Sequence, residues 1–269
     1  MKRFFIFTNI VLTSLAFLCT GCGKLTNETN TDPEPPNNIP ADALPGVFSV
    51  SSTKKVHFSK GNLVATIDAS GVPTAWKFAA NQYDCLGEGG ANKTIGSAAG
   101  DVDLFGWSTP KTNYGISTST EVKDYSGNFV EWGTVIDNKG TWTTLSGGSS
   151  GEWKYLFENH VNVWGTCNSV PGRFIAPDDF KGDESDLSKA IKDWKTAQAA
   201  GIVFLPAEGS RASSSVDGVG YRGYYWSSSA SEININNSCY IEFSSDIIYL
   251  DIRVARYNGF CVRLVTVVK

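Results

Sequence analysis

Alternation of apolar and polar positions is most regular at the end of the chain. Cys239, Ile241 and Phe243 alternate with Tyr240 and Glu242, and Ile248, Leu250, Ile252 and Val254 alternate with Tyr249, Asp251 and Arg253. Phe260, Val262 and Leu264 then alternate with Cys261, Arg263 and Val265. A period of two marks a strand with one wetter face. Ser244-Ser-Asp246 and Tyr257-Asn-Gly259 supply turn residues between the runs. Three strands in an antiparallel meander are therefore expected, with residues 200–267 assembling around one sheet. Shorter alternations run through Phe48–Ile67 and through Trp76, Phe78 and Ala80, and predict two or three more strands.

Helical spacing occurs in two places. Trp153, Leu156, Phe157 and His160 share a face, and Ser149 stands three residues before Glu152, the spacing of a capping box. Leu187, Ile191, Trp194 and Gln198 line one face of a longer candidate helix over about 185–200, with Gly201 placed to end it. Ile202–Leu205 reads as a short buried strand stopped by Pro206. Residues 84–150 are rich in Gly, Ser and Thr and predict irregular structure pinned by Leu104, Phe105, Trp107, Trp132 and Trp142. Few helices among many short strands define an α+β class: short antiparallel sheets, two helices and long irregular loops.

The N-terminus has a different composition. Lys2 and Arg3 precede an apolar run to Leu18, the length of an export signal and short for a bilayer span. Leu18-Cys-Thr-Gly-Cys22 places small residues before a cysteine, as lipoprotein signal peptidase requires, although Cys19 stands where bacterial lipoproteins usually carry Leu. The reading is a signal peptide over 1–21, lipidation of Cys22, and a tether over 22–46 holding five of the ten prolines; an ordinary secretory signal cut nearby is the alternative. A single domain over 47–269 follows. The expected location is the outer membrane, lipid-anchored, at the cell surface or on the periplasmic face. The net charge of −4, without a basic cluster, argues against nucleic acid as a partner.

Eight motifs in order carry a resemblance. They are Phe58-Ser-Lys-Gly-Asn-Leu63, Trp76-Lys-Phe-Ala-Ala-Asn-Gln-Tyr83, Asp103-Leu-Phe-Gly-Trp-Ser-Thr109, Glu131-Trp-Gly133, Glu152-Trp-Lys-Tyr-Leu-Phe157, Ala200-Gly-Ile-Val-Phe-Leu-Pro-Ala-Glu-Gly209, Tyr225-Trp-Ser-Ser228 and Gly259-Phe-Cys-Val-Arg-Leu-Val265. The series, over roughly 47–267, resembles the Fibrobacter succinogenes major paralogous domain and similar lipoproteins of gut Bacteroidetes. The resemblance implies a C-type-lectin-like fold in a cell-envelope setting and brings no established activity.

Candidate chemistry is sparse. Gly147-Gly-Ser-Ser-Gly151 matches a nucleophile-elbow pattern but lacks the required context. Beyond the Cys19–Cys22 spacing of the signal segment no C-x-x-C pair occurs, no histidine cluster suggests a metal, and no cofactor is expected. The acidic loop 178–186 could hold calcium or simply be solvated ahead of a helix. The motifs of calcium-dependent lectins are absent, as is the closely spaced cysteine pair of formylglycine-generating enzymes. Cys239 and Cys261 are candidates for a disulfide if the chain is exported. Surface recognition remains. Arg211, Tyr221, Arg222, Tyr224 and Trp226, with Arg256 and Asn258 from the last turn, are the candidate ligand-binding residues, since aromatic faces stack on sugar rings while Arg and Asn bond hydroxyls. The expected function is non-enzymatic binding of a glycan or an envelope protein. The alternative is a structural or assembly subunit of a surface appendage or outer-membrane complex.

Overall fold

A computed structural model describes residues 39–269. The signal segment, Cys22 and the tether as far as residue 38 lie outside the described residues. The last part of the segment read as tether belongs to the folded unit, which begins at Ile39. Leu44 N–H donates to Phe58 O at 2.8 Å, and the Leu44 side chain is buried beside Phe48 and Phe58.

Strands β1 (Phe48–Ser49), β2 (Lys55–Phe58), β3 (Leu63–Ile67) and β4 (Pro73–Phe78) open the domain. After β5 (Gly100–Val102) come two 3₁₀ turns, Val122–Tyr125 and Trp132–Val135, and β6 (Thr143–Thr144). Helix α1 (Glu152–Asn159) leads into the hairpin β7 (Asn162–Cys167) and β8 (Val170–Ile175). Then follow α2 (Glu184–Ala190), α3 (Trp194–Ala199), β9 (Val203–Pro206), β10 (Ser210–Ala212) and β11 (Ser215–Asp217). The chain closes with β12 (Gly223–Ala230), β13 (Asn237–Phe243), β14 (Ile248–Ala255) and β15 (Leu264–Val267). The sheets run β1-β2-β15-β6, β4-β3-β5, β7-β8-β9 and β12-β13-β14, with a β10-β11 ribbon. Every pairing between these strands is antiparallel. The class is α+β. Among the described residues no helix is long and apolar enough to cross a membrane.

The local rules hold in most places and fail informatively in three. First, α1 forms where its apolar face predicts, burying Trp153, Leu156 and Phe157, but Ser149 does not cap it. Ser146 does so instead: its hydroxyl accepts the Glu152 N–H at 3.1 Å, and the Glu152 carboxylate accepts the Ser146 N–H at 2.9 Å. Second, the helix expected over 185–200 divides into α2 and α3. Asp193 accepts the Thr196 N–H and starts a new helix at Trp194, so three short helices replace the two expected. Gly201 adopts φ +84°, the left-handed terminator its position implies.

Third, the terminal meander is built from different strands. β13 and β14 pair as their alternation implies, but the third member is β12, on the far side of β13. The run from Phe260 leaves β14. Phe260 N–H goes to Phe105 O, Cys261 N–H to Tyr224 O, and β15 pairs with β2 and β6. Arg256 directs that departure, because its guanidinium donates to the carbonyls of Tyr125 and Gly127. Residues 200–267 are thus spread over four sheets rather than centred on one.

β12 lies between two cores. Tyr225 packs with Phe48, Phe58, Trp153 and Phe243, whereas Trp226 faces Phe105, Trp107, Trp132 and Phe260. A strand buried on both faces carries consecutive large side chains, which is why Tyr224-Tyr225-Trp226 shows no alternation. A third core, around Phe174, Phe204, Leu187 and Ala197, joins α2 and α3 to β7-β8-β9.

Candidate functional site

Three of the seven expected ligand residues are buried and occupied within the fold. Arg211 is completely buried, donating to Leu104 O at 3.1 Å and Ser213 O at 3.0 Å; burial lowers its pKa to about 10. Trp226 is equally buried, its Nε1–H donating to Phe105 O at 2.7 Å. Arg256 lies 4.2 Å from the Trp107 ring centroid and also donates to Ser238 Oγ. Asn258 is half-buried and donates to Ala255 O, closing the turn after β14. Their chemistry is that of packing, and Arg211, Trp226 and Arg256 offer nothing to a ligand. Tyr221 and Arg222 are exposed, and Tyr224 is half-buried.

These last three mark a real surface. In an antiparallel sheet, cross-strand partners project to one face. Tyr224 pairs with Glu242 and Glu242 with Tyr249, so all three share the Trp226 face of β12-β13-β14, at the end beyond the second core, and Tyr240, opposite Trp226, joins them. Tyr224 stacks on Phe260 and Tyr240 lies tilted against it, with ring centroids 5.0 and 4.9 Å away. Arg222 donates to Glu242 Oε1 at 2.6 Å and fixes the carboxylate beside the tyrosines. Burial, then the Glu242 charge, pushes the Tyr240 phenol up to about 12, so it stays a neutral hydrogen-bond donor. Tyr249 and Tyr221 stand exposed at the same end. The result is a set of rigid rings next to a fixed carboxylate and guanidinium.

The disulfide expectation is corrected. Cys85, Cys167, Cys239 and Cys261 are all free thiols. Cys239 faces Ala230 O and Gly147, whereas Cys261 donates to Glu208 Oε2 at 3.0 Å. The two thiols point to opposite surroundings because β13 and the segment after Phe260 are not neighbours in one meander.

Glu208 belongs to a buried polar cluster that no local pattern announced. Its Oε2 also accepts from Asn62 Nδ2 at 3.2 Å, and its Oε1 from the N–H groups of Leu86 and Gly87 at 3.2 and 3.4 Å. Asp103 adjoins it, accepting from Leu86 N–H and Asn92 Nδ2, each at 2.7 Å. Burial, then the charge and hydrogen bond of Glu208, holds the Asp103 carboxyl well above the usual carboxylate range. A cavity of about 410 Å³ opens beside the cluster, lined by Val64, Lys77, Phe78, Cys85 and Asp103. Burial, then the charges of Glu208, Asp103 and Asp84, pushes the Cys85 thiol far up and leaves it un-ionised.

A second cavity of about 440 Å³ contains Ser49, Lys55, His160 and Asp178. Asp178 accepts from Ser49 N–H at 2.7 Å, Ser49 Oγ at 2.8 Å and Lys55 Nζ at 2.7 Å, and meets His160 Nε2 at 2.9 Å. Serine and histidine both bond the carboxylate, and His160 Nδ1 faces Leu156 O, so no serine–histidine relay exists here. Burial alone would raise the Asp178 carboxyl. The bonds from Lys55, Ser49 and His160 outweigh it and hold the group far below its ordinary range. A lowered folded pKa stabilises the fold fully above the unfolded value of about 3.9, and that contribution is lost as pH falls from there through the lowered folded value. Asp178→Asn is therefore expected to cost about 1–2 kcal/mol at neutral pH, allowing for solvent access. The difference from wild type should shrink in urea titrations repeated below about pH 4.

The glycine-rich loop before α1 has a packing explanation. A Cβ on Gly147 would meet the Ser227 side chain and Cys239 Cβ, and one on Gly151 would meet the Gly147 backbone. The glycines let the loop lie against β12 and β13. Among the described residues no three His, Cys, Asp or Glu side chains, including those of the acidic loop 178–186, are grouped to hold a metal ion. That loop contains the Asp183–Asp186 capping box of α2.

Comparison with known proteins gives one match. A family model, Domain of unknown function (DUF8237), matches residues 137–265, a little under half of the chain. No curated protein matches, and no solved structure matches.

Proposed function

We propose that this chain is a non-enzymatic, lipid-anchored envelope protein whose C-type-lectin-like domain binds a glycan through the Tyr224–Tyr249 end of β12-β13-β14. The observation that carries the reading is the pair Tyr224 and Tyr240 packed against Phe260 beside the fixed Arg222–Glu242 pair, with Tyr221 and Tyr249 exposed at the same end. Sugars present alternating C–H faces and hydroxyls, and this surface offers rings for the first and a charged donor–acceptor pair for the second. Un-ionised thiols and the absence of a serine–histidine relay at Asp178 support the non-enzymatic part. Short antiparallel sheets, few helices and long loops support the fold assignment, and the lipobox at Cys22 supports the anchor.

A glycan array probed with the protein is expected to show a defined subset of binders. Tyr249→Ala, at an exposed position, should weaken binding by about tenfold while leaving the melting transition in place. Silence across host, plant and bacterial glycans, together with a stoichiometric protein recovered from membranes, would replace the glycan by a protein ligand. Cys22→Ser should move the protein from the membrane to the soluble fraction; unchanged partition would remove the anchor.

A further inference from the structure

β14 is the outer strand of its sheet. β13 pairs with one of its edges, and no strand among the described residues pairs with the other. It is eight residues long, Ile-Tyr-Leu-Asp-Ile-Arg-Val-Ala, and rich in residues that favour strands. A long free edge presents a row of unpaired N–H and C=O groups and is a template for another strand.

The direction of those groups follows from the neighbouring turn. Arg256 N–H donates inward to Asn236 O. Backbone groups alternate along a strand, so Val254 and Ile252 also bond inward to β13, while both groups of Arg253 and the Ala255 N–H point outward; the Ala255 carbonyl accepts from Asn258, and the Asp251 carbonyl accepts from the Arg253 guanidinium at 3.0 Å. An irregularity in the ladder between Tyr240 and Glu242 sets Leu250 and Asp251 together opposite Ile241, which limits the regular window to the C-terminal part of β14.

The side chains select the partner. Asp251 and Arg253 lie two apart on one face of the edge and contact each other at 2.7 Å. Consider this strand paired antiparallel with a copy of itself, the two-fold axis passing through Ile252. Asp251 then stands opposite the second copy's Arg253, and Arg253 opposite the second copy's Asp251. Leu250 stands opposite the second copy's Val254, and the outward backbone groups of Arg253 face those of the second copy's Asp251, whose carbonyl is released as the Arg253 guanidinium turns to the facing carboxylate. Parallel pairing in register would instead set aspartate against aspartate and arginine against arginine. Moving the axis by one residue, onto Arg253 or Asp251, would set that charge against its own copy. The charge pattern is self-complementary in that single register.

We propose that β14 is a homotypic interface: two copies of this chain pair antiparallel through β14 about a two-fold axis at Ile252, fusing two three-stranded sheets into one of six strands. The partner is a second copy rather than a foreign peptide because each chain supplies the complement of its own charges.

Sedimentation of the purified full-length protein over a concentration series tests this. Wild type is expected to show a monomer–dimer equilibrium. Arg253→Asp sets acid against acid in both cross-strand pairs of the interface, and Asp251→Arg sets base against base. Each variant alone should weaken association at least about tenfold. An equimolar mixture of the two should dimerise again, since every cross-strand pair is then of opposite sign, and the double exchange should dimerise by itself. Should either variant fold poorly, hydrogen exchange on the wild type supplies the second readout: the amide of Arg253 should slow as concentration rises. A wild type that stays monomeric throughout would overturn the proposal. So would single variants that dimerise as well as wild type, a mixture that does not associate, or an Arg253 amide indifferent to concentration.

Discussion

Glu208→Ala is expected to be among the most damaging single substitutions in this chain, costing about 3–5 kcal/mol. Its carboxylate is fully buried and receives four donors: the Cys261 thiol, Asn62 Nδ2, and the N–H groups of Leu86 and Gly87. These donors come from segments far apart in the sequence, so the carboxylate ties the loop after β4 to the strand that closes the domain. Alanine leaves buried donors without acceptors and opens a cavity among them. Urea unfolding should register the loss as a lower midpoint with an unchanged slope.

Asp103 gives the same cluster a pH signature. Its folded pKa is raised, so the folded state keeps a proton that the unfolded chain releases above about 3.9. That contribution is fully present below about 3.9 and is lost as pH rises through the raised value. Asp103→Asn, which removes the titrating group and retains much of its shape, should flatten the stability–pH curve across that window. A curve for Asp103→Asn with the wild-type slope would mean that the proton is held elsewhere.

The second large effect concerns the segment matched by the family model. Residues 137–265 expressed alone are expected not to fold cooperatively. In the intact domain β15 pairs with β2 through Val265↔Phe58 and Thr266↔His57. Arg263 is completely buried and its guanidinium finds Gln82 at 3.0 Å and Asn62 at 3.4 Å, both outside the segment. Arg211 and Trp226 likewise donate to Leu104 and Phe105. Cutting at residue 137 would orphan two buried guanidiniums and strip Phe48, Phe58, Trp107 and Trp132 from the cores. Near-ultraviolet circular dichroism should be featureless for 137–265 and structured for 39–269. A sharp melting transition in the shorter piece would show that its boundaries are those of a folding unit.

Much of the fold is legible in the sequence, for identifiable reasons. β13 and β14 have one wetter face, so their alternation is intact, and α1 and α2 carry apolar stripes. β12 is buried on both faces at Tyr225 and Trp226, so the whole run of aromatics reads as a surface where only Tyr224 reaches one. The arginines mislead in a related way. Arg211 and Arg256 carry charge, which ordinarily marks exposure, yet their guanidiniums are solvated by backbone carbonyls contributed by loops more than a hundred residues away. Nothing local encodes such a partner. Tyr240, Glu242 and Tyr249 are within reach of a sequence reading, since each sits at a polar position of an alternating strand. Asp103 and Glu208 leave a fainter trace: each is a lone acid within an otherwise apolar motif, and only the folded topology sets one beside the other.

The unpaired sulfur atoms have a consequence for where this domain can persist. Burial raises all four thiols, Cys167 to about 12, so none supplies the thiolate that starts exchange with glutathione or an oxidoreductase. Among the described residues no crosslink has to form for the native state to be reached, and none is lost under reducing conditions. The domain over residues 39–269 is consequently indifferent to redox poise, and its four thiols stay as they are in a reducing or an oxidising compartment.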